Sequence, residues 1–184
     1  MGLHQLAGKP APKSMLVNIP KLLASYYTID PSGMVSFGTS GHRGCSFKGT
    51  FNEIHIASTA QAICEYRSSK GITGPLYLGF DTHAISEAAF RTSLEVFAAN
   101  EVEVIINKAK SKGFADGVVI TPSHNPPQDG GFKYNPPQGG PADVDATGWI
   151  QNRANQLMNS DTADIKRMPY EKARRAGTTH EQDF

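Results

Sequence analysis

The sequence has little of what marks membrane, secreted and nucleic-acid-binding proteins. It contains no run of ~18 apolar residues that could span a bilayer, and its first residues lack the charged and apolar regions of a signal peptide. Its two cysteines, Cys45 and Cys64, are too few for a disulfide framework and stand in no metal-binding spacing. The net charge of +1 gives no general attraction to nucleic acid or anionic lipid. These absences predict a soluble, cytoplasmic protein with no nucleic-acid or membrane partner.

What remains is the composition of an ordinary globular domain. The chain has 184 residues, of which 39% are hydrophobic, so it is long enough to bury a core. Short apolar runs predict strands at residues 35–37, 76–80, 102–106 and 116–120. Capping residues followed by helical periodicity predict helices after Asn18, Asn52, Ser86 and Asp143. The alternation predicts an α/β fold with a mixed or mostly parallel sheet flanked by helices.

Residues 121–127, Thr-Pro-Ser-His-Asn-Pro-Pro, are the most informative stretch. They follow the predicted strand at residues 116–120, so Ser123 is expected just past a strand end, where ligands of α/β sheets usually bind. Lys133 stands ten residues on, in what the glycines and prolines predict to be a loop. A serine is a weak nucleophile by itself, and a turn serine beside a proline is common. A phosphorylated serine, in contrast, would already carry the phosphoryl group that is transferred. Nearby cations would then be needed to stabilise the charge of that group.

This stretch resembles the active-site serine loop of the α-D-phosphohexomutases, and its sequence is most similar to that of the bacterial phosphoglucomutase branch. The resemblance continues through Gly-Phe-Lys-Tyr-Asn-Pro-Pro at residues 131–137 and Gly-Gly-Pro-Ala at 139–142. Upstream it includes Phe-Gly-Thr-Ser-Gly-His-Arg-Gly at residues 37–44 and Asp-Thr-His-Ala-Ile-Ser-Glu at 81–87. Members of the family have four domains, and this chain resembles the first of them, in an incomplete form.

The resemblance implies a role for each polar residue of these motifs. Ser123 is the position that carries the phosphoryl group. Lys133 is a general acid/base for the sugar hydroxyl, a task that requires a lowered pKa, and His124 stabilises phosphoryl oxygens. For Asp81 and His83, a structural role is as well supported as a functional one. The remaining phosphate-binding positions implied by the family are Arg43, Ser40 and Asn125.

By the same resemblance, the function is interconversion of glucose 1-phosphate and glucose 6-phosphate, with glucose 1,6-bisphosphate as intermediate or activator. Mg²⁺ is held in the family by an oxygen of the serine phosphate and by an Asp-Gly-Asp-Gly-Asp loop. That loop is absent here, so phosphorylated Ser123 is the one metal ligand expected from this chain. Asp143 and Asp145 alternate like metal ligands, but Asp143 is better explained as a helix cap. The chain alone is expected to be inactive, and the alternative function is a non-catalytic remnant or phosphate-binding module.

The family resemblance also predicts a domain plan with one irregular connection. Residues 1–17 are expected to form a loose arm, residues 18–158 the domain, and residues 159–184 a polar tail leading towards a missing second domain. Residues 107–114 are too few for a parallel crossover, which needs ~12 or more residues. Either the strands that they join pair antiparallel, or a loop and a helix have been deleted. We favour the deletion, which would uncover one face of the sheet.

Overall fold

The described residues form a six-stranded sheet, and the helices among them pack on one of its faces. The structure, a computed structural model, describes residues 6–38, 41–106 and 115–181. The helices are α1 (Ile19–Thr28), α2 (Glu53–Ser69), α3 (Ser86–Ala99), α4 (Val144–Asn159) and α5 (Tyr170–Arg174). The strands are β1 (Gly41–Cys45), β2 (Leu76–Phe80), β3 (Val104–Ile106), β4 (Asp116–Ile120), β5 (Asp129–Asn135) and β6 (Thr179–Glu181).

The sheet is mixed, as predicted. Its strand order is β1-β5-β4-β2-β3-β6. Strands β4, β2, β3 and β6 run parallel to one another, whereas β5 pairs antiparallel with both β4 and β1. The sequence prediction of an α/β fold with a mixed sheet flanked by helices is therefore confirmed.

Capping side chains set the starts of three helices where the sequence predicted them. The side chains of Asn18, Asn52 and Asp143 each accept a hydrogen bond from a backbone N–H in the first turn of α1, α2 and α4. These bonds satisfy donors that have no partner within the helix. None of the helices in the described ranges is long and apolar enough to cross a membrane.

The core lies between the sheet and α2, α3 and α4. Alternate residues of the central strands point into it, and Leu78, Val118 and Tyr134 are almost fully buried. Helix α2 packs against both α3 and α4. It is consequently buried on nearly all sides, and it contributes polar residues such as His55 and Arg67 to the interior.

The glycine-rich segments differ from the prediction, because they form strands rather than loops. A side chain at Gly41 would bring a Cβ within 2.1 Å of the Phe132 carbonyl oxygen, and one at Gly131 within 2.2 Å of the Thr121 carbonyl oxygen. Glycine is therefore required for close packing of these backbones, although it usually weakens strands.

The predicted strand at residues 35–37 is reduced to a single antiparallel bridge between Phe37 and His42 of β1. The N–H and carbonyl of Val35 bond to the Asn155 side chain, and the N–H of Phe37 donates to Gln151. Two side chains of α4 thus bond to most of this backbone in place of a continuous strand.

Strands β3 and β4 do not pair with each other. Both run parallel to β2 and flank it on opposite sides, so the alternative of antiparallel pairing is wrong. The residues that join them at 107–114 lie outside the described ranges.

The C-terminal segment contains regular structure where a polar tail was expected. Helix α5 lies against α3 and buries Ala173, and β6 extends the sheet beyond β3. The apolar positions here are too few and too widely spaced to produce a periodic signal in the sequence. At the other end, residues 6–17 form one 3-10 turn, Lys13–Met15, and none of them is buried.

A buried carboxylate joins the sheet to α2. The Asp116 side chain is fully buried, forms an ion pair with Arg67, and accepts a 2.7 Å hydrogen bond from the Tyr134 hydroxyl. Arg67 also donates to the Gly74 carbonyl at 2.5 Å. The network connects α2, β4 and β5 at one point.

Arg67→Met is expected to lower the free energy of unfolding by about 3–5 kcal/mol, because it leaves the Asp116 charge buried without a cation. Urea denaturation would measure the change. The same substitution at Arg175, whose side chain is 82% exposed, is the control and should have little effect. Equal effects of the two substitutions would show that the buried ion pair is not a major contributor.

Candidate active site

Ser123 occupies the turn between β4 and β5, at the carboxyl end of β4. Its side chain is exposed, and its backbone lies in the left-handed region at φ 66°. Its N–H donates to the Thr121 hydroxyl at 2.9 Å. Non-glycine residues rarely adopt this conformation, and such residues occur often at functional sites. The turn therefore presents the serine hydroxyl to solvent at the ligand-binding edge of the sheet.

Lys133 approaches Ser123 from the neighbouring strand. It lies within β5 opposite Val119 of β4 and Gly41 of β1, and its Nζ donates to the Ser123 Oγ at 2.5 Å. Burial, and then the positive charge of Arg43, lower the pKa of Lys133, while Asp81 opposes the shift. A lysine with a lowered pKa can exchange protons with an adjacent oxygen.

The other predicted residues are placed less closely. Arg43 is exposed on β1, opposite Gly131, where its charge reaches Lys133. His124 is exposed beside Ser123. The Asn125 side chain points within the loop and donates to Asp129 at 3.1 Å. Ser40 lies outside the described residues.

Asp81 and His83 support the serine loop, a contact that the sequence did not predict. The Asp81 carboxylate accepts hydrogen bonds from the Ser86 hydroxyl at 2.6 Å and from the His83 N–H at 2.9 Å. The His83 ring contacts Asp81 at 3.2 Å through Nδ1 and the Asn125 carbonyl at 3.5 Å through Nε2. Burial opposes ionisation of Asp81, but these hydrogen bonds and one from Thr121 outweigh it, so its pKa is lowered. The sequence signal for this role was the position of Asp81 directly after the predicted strand at residues 76–80.

Carboxylates for a metal are scarce at this site. The described part of the chain holds no cluster of three or more His, Cys, Asp or Glu side chains suited to an ion. Asp143 caps α4 by accepting a 2.8 Å bond from the Ala146 N–H, as predicted.

Comparison with known proteins gives the context of the mixed sheet and of the strand-end serine with its neighbouring lysine. The sequence model described as phosphoglucomutase/phosphomannomutase, alpha/beta/alpha domain I, matches residues 34–161. The chain belongs to this family. The serine loop and Lys133 both lie within the match of this phosphoglucomutase/phosphomannomutase domain.

Individual relatives agree with the family assignment. The chain is 50% identical to a phosphoglucomutase of Komagataeibacter xylinus over 206 residues, which include 99% of the chain and 37% of the relative. The match is longer than the 184-residue chain, so at least 22 residues of the relative within it have no counterpart here. The chain spans about a third of the length of the relative.

Two solved structures share the fold of this phosphoglucomutase/phosphomannomutase domain. A protein of Thermus thermophilus, provisionally named phosphomannomutase, is similar with a TM-score of 0.63 and 23% identity over 83% of this chain and 34% of that one. A phosphoglucomutase/phosphomannomutase family protein of Burkholderia thailandensis gives 0.56 and 19% over 82% and 34%. At these identities the likeness supports the fold alone.

The pKa of Lys133 should respond with opposite signs to its two charged neighbours. Arg43→Gln removes a positive charge that disfavours the ammonium form, so the pKa of Lys133 should rise. Asp81→Asn removes a negative charge that favours it, so the pKa should fall. NMR titration of ¹³C-labelled lysine side chains would measure both, each variant serving as the control for the other. Shifts of the same sign would contradict this electrostatic account.

Proposed function

We propose that this chain is the phosphoserine domain of a phosphoglucomutase that interconverts glucose 1-phosphate and glucose 6-phosphate. The observation that carries the proposal is the 2.5 Å contact between the Ser123 Oγ and the Lys133 Nζ at an exposed strand end. The K. xylinus relative, which is named phosphoglucomutase, supports glucose phosphate as the substrate.

The chemistry assigns two steps to the same pair of residues. In the first, a hydroxyl of the sugar phosphate attacks the phosphorus on Ser123 and the P–Oγ bond breaks, while Lys133 takes the hydroxyl proton and returns it to the departing Ser123 Oγ. The resulting glucose 1,6-bisphosphate then reorients. In the second step the Ser123 Oγ attacks the other phosphoryl group and its bond to the sugar oxygen breaks, while Lys133 takes the serine proton and passes it to the sugar oxygen that is released. Because the phosphoryl group needs in-line geometry, positioning and charge stabilisation supply most of the rate.

Cations near Ser123 suit a doubly charged phosphoryl group. Arg43 and Lys133 bring two positive side chains to this end of the sheet, and His124 follows Ser123 directly. We assign phosphate binding to Arg43, Ser40 and Asn125, with His124 as an additional stabilising group. The side-chain amide of Asn125 has two N–H donors, of which one bonds to Asp129.

Of the residues that the structure describes, Ser123 is the one that fits magnesium, and it would do so through its phosphate. A phosphate on Ser123 would offer an oxygen of the kind that Mg²⁺ prefers, and the ion would neutralise charge on the transferred group. Near Ser123, the Asp81 and Asp129 carboxylates already accept hydrogen bonds from Ser86 and Asn125. We infer that the described residues do not supply the rest of a magnesium site.

The alternative is a non-catalytic remnant or phosphate-binding module from a truncated, internally deleted gene. The 206-residue match to a 184-residue chain favours an internal deletion. Eight residues, 107–114, are too few for a parallel crossover that contains a helix, so we assign the deletion to that link.

A chimera would distinguish these two functions. We expect residues 1–184, joined to the part of the K. xylinus phosphoglucomutase that follows its matched segment, to become phosphorylated on Ser123 by glucose 1,6-bisphosphate and Mg²⁺. Intact-mass and peptide mass spectrometry would detect the phosphate, and Ser123→Ala should abolish it because the acceptor oxygen is gone.

The chain alone should show no turnover in a coupled assay, since it lacks most of the relative's length. A chimera that folds but remains unphosphorylated would instead support the remnant. Phosphate on the same peptide of the Ser123→Ala protein would overturn the assignment of Ser123.

A further inference from the structure

Two buried histidines lie in contact beneath the strand that carries Arg43. His42 of β1 is 3% exposed, and His55 of α2 is fully buried. Their rings stack with centroids 5.1 Å apart and planes 16° apart, and the Phe51 ring stacks on His42 at 5.8 Å. Side chains alternate along a strand, so the histidine pair lies on the face of β1 opposite to that of Arg43.

The hydrogen bonds of His42 assign its proton to Nε2. The Ser36 N–H, which can only donate, lies 3.2 Å from Nδ1, so this nitrogen is an acceptor. The Thr50 carbonyl, which can only accept, lies 3.0 Å from Nε2. A second proton on Nδ1 would lose the bond from the Ser36 N–H and leave a longer contact of 3.3 Å to the Ser36 carbonyl. The neutral ring thus joins β1 to the backbone before it and after it.

His55 is neutral as well. The Asn52 amide donates its N–H to the Ile29 carbonyl, so its oxygen faces His55 and accepts the Nδ1 proton at 2.8 Å. Burial, and then the charge of His42, lower the pKa of His55 to about 4. Burial also lowers the pKa of His42. Both rings are consequently uncharged at neutral pH.

The surroundings of the histidine pair offer no counter-ion among the described residues. The one carboxylate near it on α2, Glu53, forms an ion pair with Arg167. The other charged side chains on the neighbouring segments are exposed, and the remaining titratable groups are uncharged and buried. These are Asp30, Arg43 and Lys48, and Tyr26 and Cys45, respectively. A proton on either ring would therefore be a buried charge without compensation.

His42 lies in the middle of the contact between β1 and β5. It is opposite Phe132, between the pairs Gly41–Lys133 and Arg43–Gly131. On the other face of these two strands, Arg43 and Lys133 are diagonal neighbours, which lie ~7–8 Å apart in antiparallel sheets. Any movement of β1 at His42 would therefore change the distance between these two positive side chains.

We propose that His42 is a positioning residue for Arg43 and Lys133, and that it holds β1 in place only while it and His55 are uncharged. The functional part of the proposal rests on the phosphate-binding role proposed for Arg43. At neutral pH the His42 ring fixes β1 through Ser36 and Thr50 and packs on α2. A proton on the histidine pair loosens this packing, so that Arg43 is no longer held beside Lys133.

Substitution of His42 tests the positioning role, with the pKa of Lys133 as readout. His42→Leu loses both hydrogen bonds, so the charge of Arg43 should act less on Lys133, and the pKa of Lys133 should rise as in Arg43→Gln. His42→Gln keeps a donor for the Thr50 carbonyl and should give a smaller rise. His180→Gln, at a partly exposed histidine of β6, is the control and should leave this pKa unchanged. NMR titration of ¹³C-labelled lysine side chains would measure all three.

Acidification of the unmodified chain tests the dependence on charge. His55 binds its proton at a pH of about 4 when folded but at about 6.5 when unfolded, so stability is lost as the pH falls below about 6.5. Urea denaturation should show an unfolding equilibrium constant that His55 alone raises about 30-fold between about pH 7.5 and about pH 5. The increase should be smaller in His42→Gln, where the neighbouring charge is gone, and should persist in His180→Gln.

NMR of the unmodified chain links the two tests. The backbone amide resonances of Arg43 and Lys133 should shift with the same midpoint as the imidazole resonances of the histidine pair. Independence of the two sets would overturn the proposal, as would an unaltered pKa of Lys133 in folded His42→Leu or a full acid dependence in His42→Gln. If His42→Leu does not fold, the amide titration and His42→Gln decide. None of these readouts involves phosphoryl transfer, so failure of the proposed function would appear separately, in the chimera.

Discussion

The register between β4 and β5 is the constraint on which the candidate site depends. Side chains alternate between the faces of a strand, so a slip of one residue would move Lys133 to the face opposite its present one. In the observed register Lys133 lies opposite Val119, and its Nζ reaches Ser123. The buried Asp116 holds this register from the other face, because it accepts a hydrogen bond from Tyr134 and pairs with Arg67 of α2. A network in the core thus positions a pair of residues at the surface.

The same sheet explains why two positive side chains meet at this end of the molecule. The close antiparallel contact of β1 with β5 places Arg43 near Lys133, and it is possible because Gly41 and Gly131 have no side chains. Asp81 and His83 then brace the serine loop from the end of β2. Backbone packing brings together residues that lie far apart in the chain, and their charges alter the pKa of Lys133.

Helices were the most predictable part of the fold. Asn18, Asn52 and Asp143 indicate helix starts by local chemistry, and each forms the predicted capping bond. Strands β1 and β5 were missed because glycine normally indicates a turn, and the close approach that requires it here involves residues distant in sequence. Strand β6 was missed because three residues at a sheet edge leave no periodic pattern.

From the amino-acid sequence alone came the α/β character, the family resemblance, and Ser123 as the residue at a strand end, because these follow from local patterns and ordered motifs. The sequence also showed that too few residues join β3 to β4. That both strands run parallel to β2 on opposite sides emerged only in three dimensions, since pairing depends on contacts between distant segments. Likewise, only the structure brought Lys133 to Ser123 and left one face of the sheet without a described helix, because both depend on strand order and register.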